Sequence, residues 1–321
     1  STDSLEFDQS IISSIPSSNS NTGGRLLIEE NFIWLTVGDI KNNDLAQYES
    51  SLNGKILRYN LNGSIPSTNP IAGSPVYSFG HRNPQGIVQS GTGSILISEH
   101  GPSSNDELNK IESGGNFGWP HVSGFCGSGT QTICDSLNII EPLETWSPTI
   151  APAGIEFSDG TEVPEWENSL LVASLKEKRL FISQLNTQED GISRASWILS
   201  GVFGRIRDVL IMDGDIYLCT SNRDALGFPT DRDDIIIRLK PSKHTGVQTP
   251  NREELKAFVQ GDVIVLSQSV KTDVIVTDPL GRTVLRTNLN DEDRIQLTSQ
   301  APGIYIISFA GQYAPIKLIK R

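Results

Sequence analysis

Apolar residues in this chain come in short runs, often alternating with polar ones, and a turn signal closes each run. RLLIE, FIWLTVGD and GKILRYNL follow one another between residues 25 and 61, separated by Asn31 and Asn53-Gly54 and followed by Asn62-Gly63. Each run is rich in β-branched or aromatic residues, the mark of a strand, and no segment sustains the 3.6-residue apolar period of a helix. Residues 151–201 repeat the layout with IEFSDG, SLLVASL, RLFISQL and ASWILS; residues 205–240 do so with RDVLIM, GDIYLCT and DDIIIRL. Residues 4–12 (SLEFDQSII) read as one further strand. Repeated sets of about four strands predict an all-β fold of propeller blades, about four of them between residues 24 and 240, the last short of a strand.

The pattern changes after residue 240. Residues 241–256 (PSKHTGVQTPNREELK) are polar and predict a linker between a first domain, 1–240, and a small second domain, 257–321. The tail carries the strand-like runs DVIVLSQ, DVIVTDPLGRTVL, RIQLTS, GIYIISFAG and APIKLIKR, which predict an antiparallel β-sandwich.

Composition narrows the partners. The 321 residues carry a net charge of -12, which argues against nucleic acid. No apolar run approaches the ~20 residues that span a bilayer. Cys126 and Cys134 flank a Gly/Ser/Thr-rich loop, either as a small disulfide of an oxidising compartment or as two free thiols. Cys219, in the run DIYLCT, is expected to be a buried small hydrophobe.

Candidate chemistry concentrates in residues 80–120, GHRNPQGIVQSGTGSILISEHGPSSNDELNKIESGGNFGWP. The stretch holds two of the four histidines, His81 and His100, with polar residues at the ends of short strands, where sites sit on a β scaffold. The GHRNPQG run, the Glu-His-Gly-Pro turn, the Asp106-Glu107 pair and the GGNFGWP close resemble the signature of the soluble glucose/sorbosone dehydrogenases, which use pyrroloquinoline quinone and calcium. That resemblance implies a six-bladed propeller, of which this chain is expected to hold about four blades, the first ones being absent; residues 4–16 then look like the outer strand of an earlier blade.

The resemblance also implies site residues. Arg82, with Asn83 beside it, matches a cofactor-contacting arginine; Lys176, in ASLKEKR, matches a lysine that meets cofactor oxygens; Arg205 and Arg207, in GRIRDV, match a pair that holds carboxylates. The cofactor is a tricarboxylate, and the planar guanidinium fork suits such groups. Gly101 and Pro102 match the turn whose carbonyls face a calcium ion, an oxygen-seeking cation, and Asp106 and Glu107 match a second, structural calcium site. One position departs. The family's catalytic histidine stands four residues before the arginine of its HxGGR segment; here the segment is Asn21-Thr22-Gly23-Gly24-Arg25, and Asn21 holds the histidine position. An amide cannot accept a proton at neutral pH. The expected activity is oxidation of an aldose at its anomeric carbon, with an electron acceptor that the residues do not specify, and Asn21 counts against turnover. The alternative is a non-catalytic propeller that binds a sugar or a protein at the cell surface.

In the tail, the Asp278-Pro279-Leu280-Gly281-Arg282 turn, the Ala301-Pro302-Gly303-Ile304-Tyr305 run and the basic end resemble the C-terminal sorting domain of type IX secretion cargo. That implies the type IX machinery as a partner, and a protein secreted by, or held on the outer-membrane surface of, a Gram-negative bacterium. The bland alternative is an unrelated carbohydrate-binding or adhesion module.

Overall fold

The structure, a computed structural model, describes residues 8–241, 255–260, 262–278, 282–297, 303–309 and 316–320. It divides into two compact units, Ser1–Pro241 and Ser242–Arg321.

The first unit is a succession of antiparallel meanders. Strands β1 (Gly23–Glu29), β2 (Phe32–Val37), β3 (Lys55–Asn60) and β4 (Val76–Phe79) form the first sheet. The second contains β5 (Pro84–Gln89), β6 (Ile95–Glu99), β7 (Asp106–Lys110) and β8 (Glu144–Trp146), with a short helix α1 (Gln131–Leu137) before β8. The third contains β9 (Pro152–Ser158), β10 (Ser169–Ser174), β11 (Leu180–Leu185) and β12 (Ile192–Ile198). The fourth has three strands, β13 (Ile206–Met212), β14 (Asp215–Thr220) and β15 (Ile236–Leu239). Four strand sets, the last one short, is the grouping that the turn spacing predicts.

Apolar side chains seal each sheet against the next. Trp34, Ile56, Ile87 and Ile97 share one cluster; Val88, Leu108, Ile155 and Leu170 a second; Leu171, Leu180, Val209 and Leu218 a third. Burial of such area, at about 25 cal/mol per Å², is the main term holding the sheets together. The first strand of each sheet packs on the first strand of the next, β1 on β5, β5 on β9 and β9 on β13. Arg25 of β1 ties this inner layer across its width: Nη1 meets Asp208 Oδ2 of β13 at 2.5 Å and Nε donates to the Gln85 carbonyl of β5 at 2.8 Å. A Cβ at Gly154 of β9 would collide with Oδ1 of Asp208, so glycine leaves room for this pair.

Two expectations are corrected here. Asp8–Ile12 form no strand; Ile12 and Ile15 instead pack an irregular segment against the face of the first sheet that holds Ile33 and Leu57. Ser-rich sequence and Pro16 leave that segment without a ladder partner; residues 4–7 lie outside the described residues. Cys219 is half-exposed, because the alternation in β14 sends Ile216 and Leu218 inward and Cys219 to the other face. Cys126 and Cys134 are joined in a disulfide.

The second unit holds β16 (Ala257–Gln260), β17 (Val263–Thr277), β18 (Thr283–Gln296), β19 (Gly303–Phe309) and β20 (Ile316–Lys320) in one five-stranded antiparallel sheet. The runs DVIVLSQ and DVIVTD, expected as two strands of a sandwich, are one long β17 with register shifts between Val265 and Val270. The SQSVKT segment between them has no glycine or proline to turn the chain. One apolar cluster, including Ile264, Val274, Leu289 and Ile307, serves the whole sheet. Pro279–Gly281, Ala301–Pro302, Arg321 and most of the 241–256 segment lie outside the described residues. Among the described residues no helix is long and apolar enough to cross a membrane.

Candidate functional site

In every sheet of the first unit the strands alternate in direction, so the loops before β1, β5, β9 and β13 gather at one end with those joining β2 to β3, β6 to β7, β10 to β11 and β14 to β15. Hydrogen bonds stitch these loops in sequence. The Asp39 amide donates to the Arg82 carbonyl at 2.8 Å, Lys176 to Ile150 at 3.0 Å, and Arg205 Nη1 to the Leu175 carbonyl at 3.3 Å. The predicted residues sit along this chain of contacts.

Arg82, Asn83, His100 and Gly101 are in direct contact. Arg82 Nη1 donates to the carbonyls of His100 (3.1 Å) and Gly101 (2.8 Å), and its guanidinium lies over the Trp119 ring. Glu99 is the clamp beneath. Its Oε1 accepts the backbone N–H groups of Arg82 and Asn83, and its Oε2 pairs with His81 Nδ1 at 3.0 Å. His81 Nε2 lies 2.8 Å from Ser78 Oγ. This Ser-His-Glu row has the connectivity of a hydrolytic triad, yet Ser78 and His81 are fully buried, so it serves to position the Arg82 turn. His100 Nε2 lies 2.7 Å from the Pro152 carbonyl, which fixes Nε2 as the protonated nitrogen. Burial pushes the His100 imidazole below its ordinary range, Asp106 opposes that, and the charges of Arg82 and Arg207 add to it. The imidazole is thus held neutral among cations.

Arg205 and Arg207 converge on one carboxylate. Arg205 donates from Nε (2.9 Å) and Nη2 (2.7 Å) to Asp224 Oδ2, and Arg207 Nη2 lies 3.8 Å from the same oxygen. Lys176 reaches out to Thr149 Oγ1 at 2.8 Å. Among the described residues Arg205 and Arg207 share Asp224, and neither Arg82 nor Lys176 forms an ion pair, so one carboxylate is paired within a set of four cations. A cluster with that excess of positive charge suits an anion with several carboxylates.

The acidic pair divides into two jobs. Asp106 is spent on backbone: Oδ1 accepts from Gly101 at 2.8 Å, and Oδ2 from Ile150 and Ala151 at 2.7 Å each. It anchors loops instead of facing open space, which its place in an expected calcium site did not foresee. Glu107 pairs in register with Glu99 across β6 and β7, and both line a small cavity of about 10 Å³, room for about one water-sized occupant. Burial, and then the Glu99 charge, push the Glu107 carboxyl up to about 8. A cation between these carboxylates would offset that cost. Among the described residues no group of three or more His, Cys, Asp or Glu side chains is placed to hold a metal by itself. Gly101 offers its carbonyl to Arg82, and Pro102 is exposed.

Asn21 is linked to Arg82 through Asp39, whose amide donates to the Arg82 carbonyl, and it adopts a left-handed conformation that asparagine tolerates. Its Nδ2 donates to Asp39 Oδ1 at 3.0 Å; Asp39 Oδ2 accepts the Trp119 indole N–H at 2.9 Å. Asp39 is fully buried. Sequence reasoning missed Asp39, Arg25, Glu99 and Asp224. Arg25 and Glu99 stood inside motifs already singled out, without a role, and Asp39 follows from the β1–β2 register, since the pairing of Gly23 with Val37, carried two residues outward, sets Asn21 opposite Asp39.

The glucose/sorbosone dehydrogenase family model matches residues 1–227, and the chain belongs to that family. It is 32% identical to quinoprotein glucose dehydrogenase B of Acinetobacter calcoaceticus, over 58% of this chain and 55% of that protein. It is 30% identical to aldose sugar dehydrogenase YliI of Escherichia coli, over 64% of this chain and 58% of that one. The chain spans about half the length of the curated relatives it matches. Among solved structures, the pyrroloquinoline-quinone-bound aldose sugar dehydrogenase of Streptomyces coelicolor superposes with a TM-score of 0.62 at 33% identity, covering 71% of this chain and 64% of that one.

Proposed function

We propose that this chain is a secreted quinoprotein of the aldose dehydrogenase type that retains its cofactor site and has lost its proton-accepting side chain at Asn21. The observation that carries the reading is the cation set Arg82, Lys176, Arg205 and Arg207 at one end of the first unit, of which only Arg205 and Arg207 have a carboxylate partner, Asp224. Those side chains, with Asn83, would hold the carboxylates and oxygens of pyrroloquinoline quinone. When bound, that group accepts hydride from the anomeric carbon of an aldose. Calcium would have two candidate places: the carbonyls of Gly101 and Pro102, if Arg82 turned to the cofactor, and the cavity lined by Glu99 and Glu107.

Proton transfer from the sugar depends on the chain's own residues. Asp39 orients whatever stands at position 21, and the Trp119 indole holds Asp39 in turn. Asn21 gives the sugar hydroxyl an amide to hydrogen-bond and no site for its proton, and loss of a general base costs about a hundred- to ten-thousand-fold in rate. The Asn21–Asp39 bond also favours the second reading, a non-catalytic sugar- or protein-binding module. Aldose oxidation by the purified chain with the cofactor, calcium and an artificial electron acceptor separates the two: slow, saturable turnover supports a dehydrogenase, and none, with cofactor bound, supports the binding module.

The tail would address the protein to the type IX machinery, for release or attachment at the outer surface. Deleting residues 257–321 should then leave cofactor binding unchanged and hold the protein in the periplasm; secretion that persists without the tail overturns the assignment.

A further inference from the structure

The end of the first unit opposite the Arg82 cluster carries a second concave site. A cavity of about 290 Å³ opens between the first and second sheets, where β1, β3, β5 and β7 end and β4 begins. Its lining includes Glu29, Trp34, Arg58, Tyr77, Gln89 and Lys110. Aromatic rings and a buried guanidinium form its floor: Arg58 lies 4.5 Å from the ring centres of Phe32 and Tyr77, and Trp34 meets Tyr77 edge-on at 4.6 Å. Arg58 is itself held in place, donating Nε to Asn69 Oδ1 at 2.9 Å and Nη2 to Thr68 Oγ1 at 2.8 Å. The indole N–H of Trp34 is buried in the floor and has no hydrogen-bond partner among the described residues.

These features define a ligand chemistry. The acidic rim of Glu29 and Glu30 balances Arg58 and Lys110, so the lining has no net charge and favours a neutral molecule. Acceptors (the two glutamates), donors (Arg58, Lys110) and an amide that is both (Gln89) surround aromatic surface. A polyhydroxylated ring presents alternating donors and acceptors at its edge and apolar C–H groups on its face, and a concave, largely preformed pocket with a few placed polar groups is how proteins bind one.

We propose that this cavity is a second saccharide site, taking one residue of a neutral oligosaccharide at the end of the protein remote from Arg82. It stands whether or not the cofactor reading holds. The test titrates the full chain, without cofactor, with cellotetraitol, maltotetraitol and xylotetraitol, reduced oligosaccharides with no free anomeric carbon to oxidise. Calorimetry and tryptophan fluorescence follow binding. At least one probe should bind saturably, about tenfold or more weaker in Tyr77→Ala and in the rim variant Gln89→Ala, and unchanged in Arg82→Ala. Absence of saturable binding by all three probes overturns the proposal, as does binding that both cavity variants leave intact. Loss of binding in Arg82→Ala overturns it too, by placing the sugar at the other end.

Discussion

The side-chain amide of Asn21 donates to Asp39 Oδ1 at 3.0 Å, and the other oxygen of that buried carboxylate accepts from Trp119. A carboxylate so held orients its partner, and an imidazole at position 21 would take the donor role from one nitrogen and leave the other free as a base. Asn21→His should therefore raise aldose turnover by about a hundredfold or more with cofactor and calcium present. The gain should vanish in the double variant Asn21→His/Asp39→Asn, which keeps the shape and loses the orienting charge. An inert Asn21→His protein with cofactor bound would show that more than the base is absent.

Lys55 is fully buried, its ammonium donating to the carbonyls of Leu45 (2.7 Å), Ala46 (3.0 Å) and Asn53 (2.8 Å), which fastens the loop after Asp39. Burial lowers its pKa from 10.5 to about 7. The unfolded chain keeps that proton up to about 10.5 and the folded chain only to about 7, so stability from this group rises with pH across that window. Thermal melts from pH 6 to 10 should show the wild type gaining on Lys55→Met above pH 7 and running parallel to it below. Parallel curves throughout would mean that the three carbonyls keep the ammonium charged.

Asp224 offsets the charge of the largely buried Arg205. Burial works to raise the Asp224 carboxyl, but the hydrogen bonds from Arg205, the Leu226 amide and Ser221, together with the Arg205 charge, outweigh it and hold it below its ordinary 3.8. The pair's contribution is present above that ordinary value and is lost as pH falls through the lowered one. Asp224→Asn should cost about 1.5–3 kcal/mol in urea melts at pH 7, the range of hydrogen bonds to charged groups, and flatten the acid limb. A loss under about 0.5 kcal/mol, as for an exposed pair, would assign Asp224 no structural role.

How much was legible depends on range. The strands of the first unit were readable because β-branched runs such as Phe32–Val37 and Ile206–Met212 end at turn signals, and each sheet is built from consecutive strands. Arg82, Lys176, Arg205 and Arg207 were readable as a set only through motif resemblance; nothing local says that Arg205 reaches the Leu175 carbonyl or that Arg25 meets Asp208 in another sheet. Glu99 and Glu107 face each other because β6 pairs with β7, which spacing alone does not reveal. The alternation that misread residues 8–12 as a strand is used instead to pack Ile12 and Ile15 without a ladder. In the second unit, β17 runs on where a turn was expected, since no residue between Ser267 and Thr272 breaks it.

The central claim is that the Arg82, Lys176, Arg205 and Arg207 end of the first unit holds a tricarboxylate quinone although position 21 has lost its base. Calorimetric titration of pyrroloquinoline quinone into the wild type, Asn21→His and Arg82→Ala, each with calcium, tests it most directly. The account predicts one saturable site, of equal affinity in wild type and Asn21→His and about tenfold or more weaker in Arg82→Ala, since a charged hydrogen-bonding partner is lost. No saturable binding to the wild type, or binding that Arg82→Ala leaves unchanged, would contradict it.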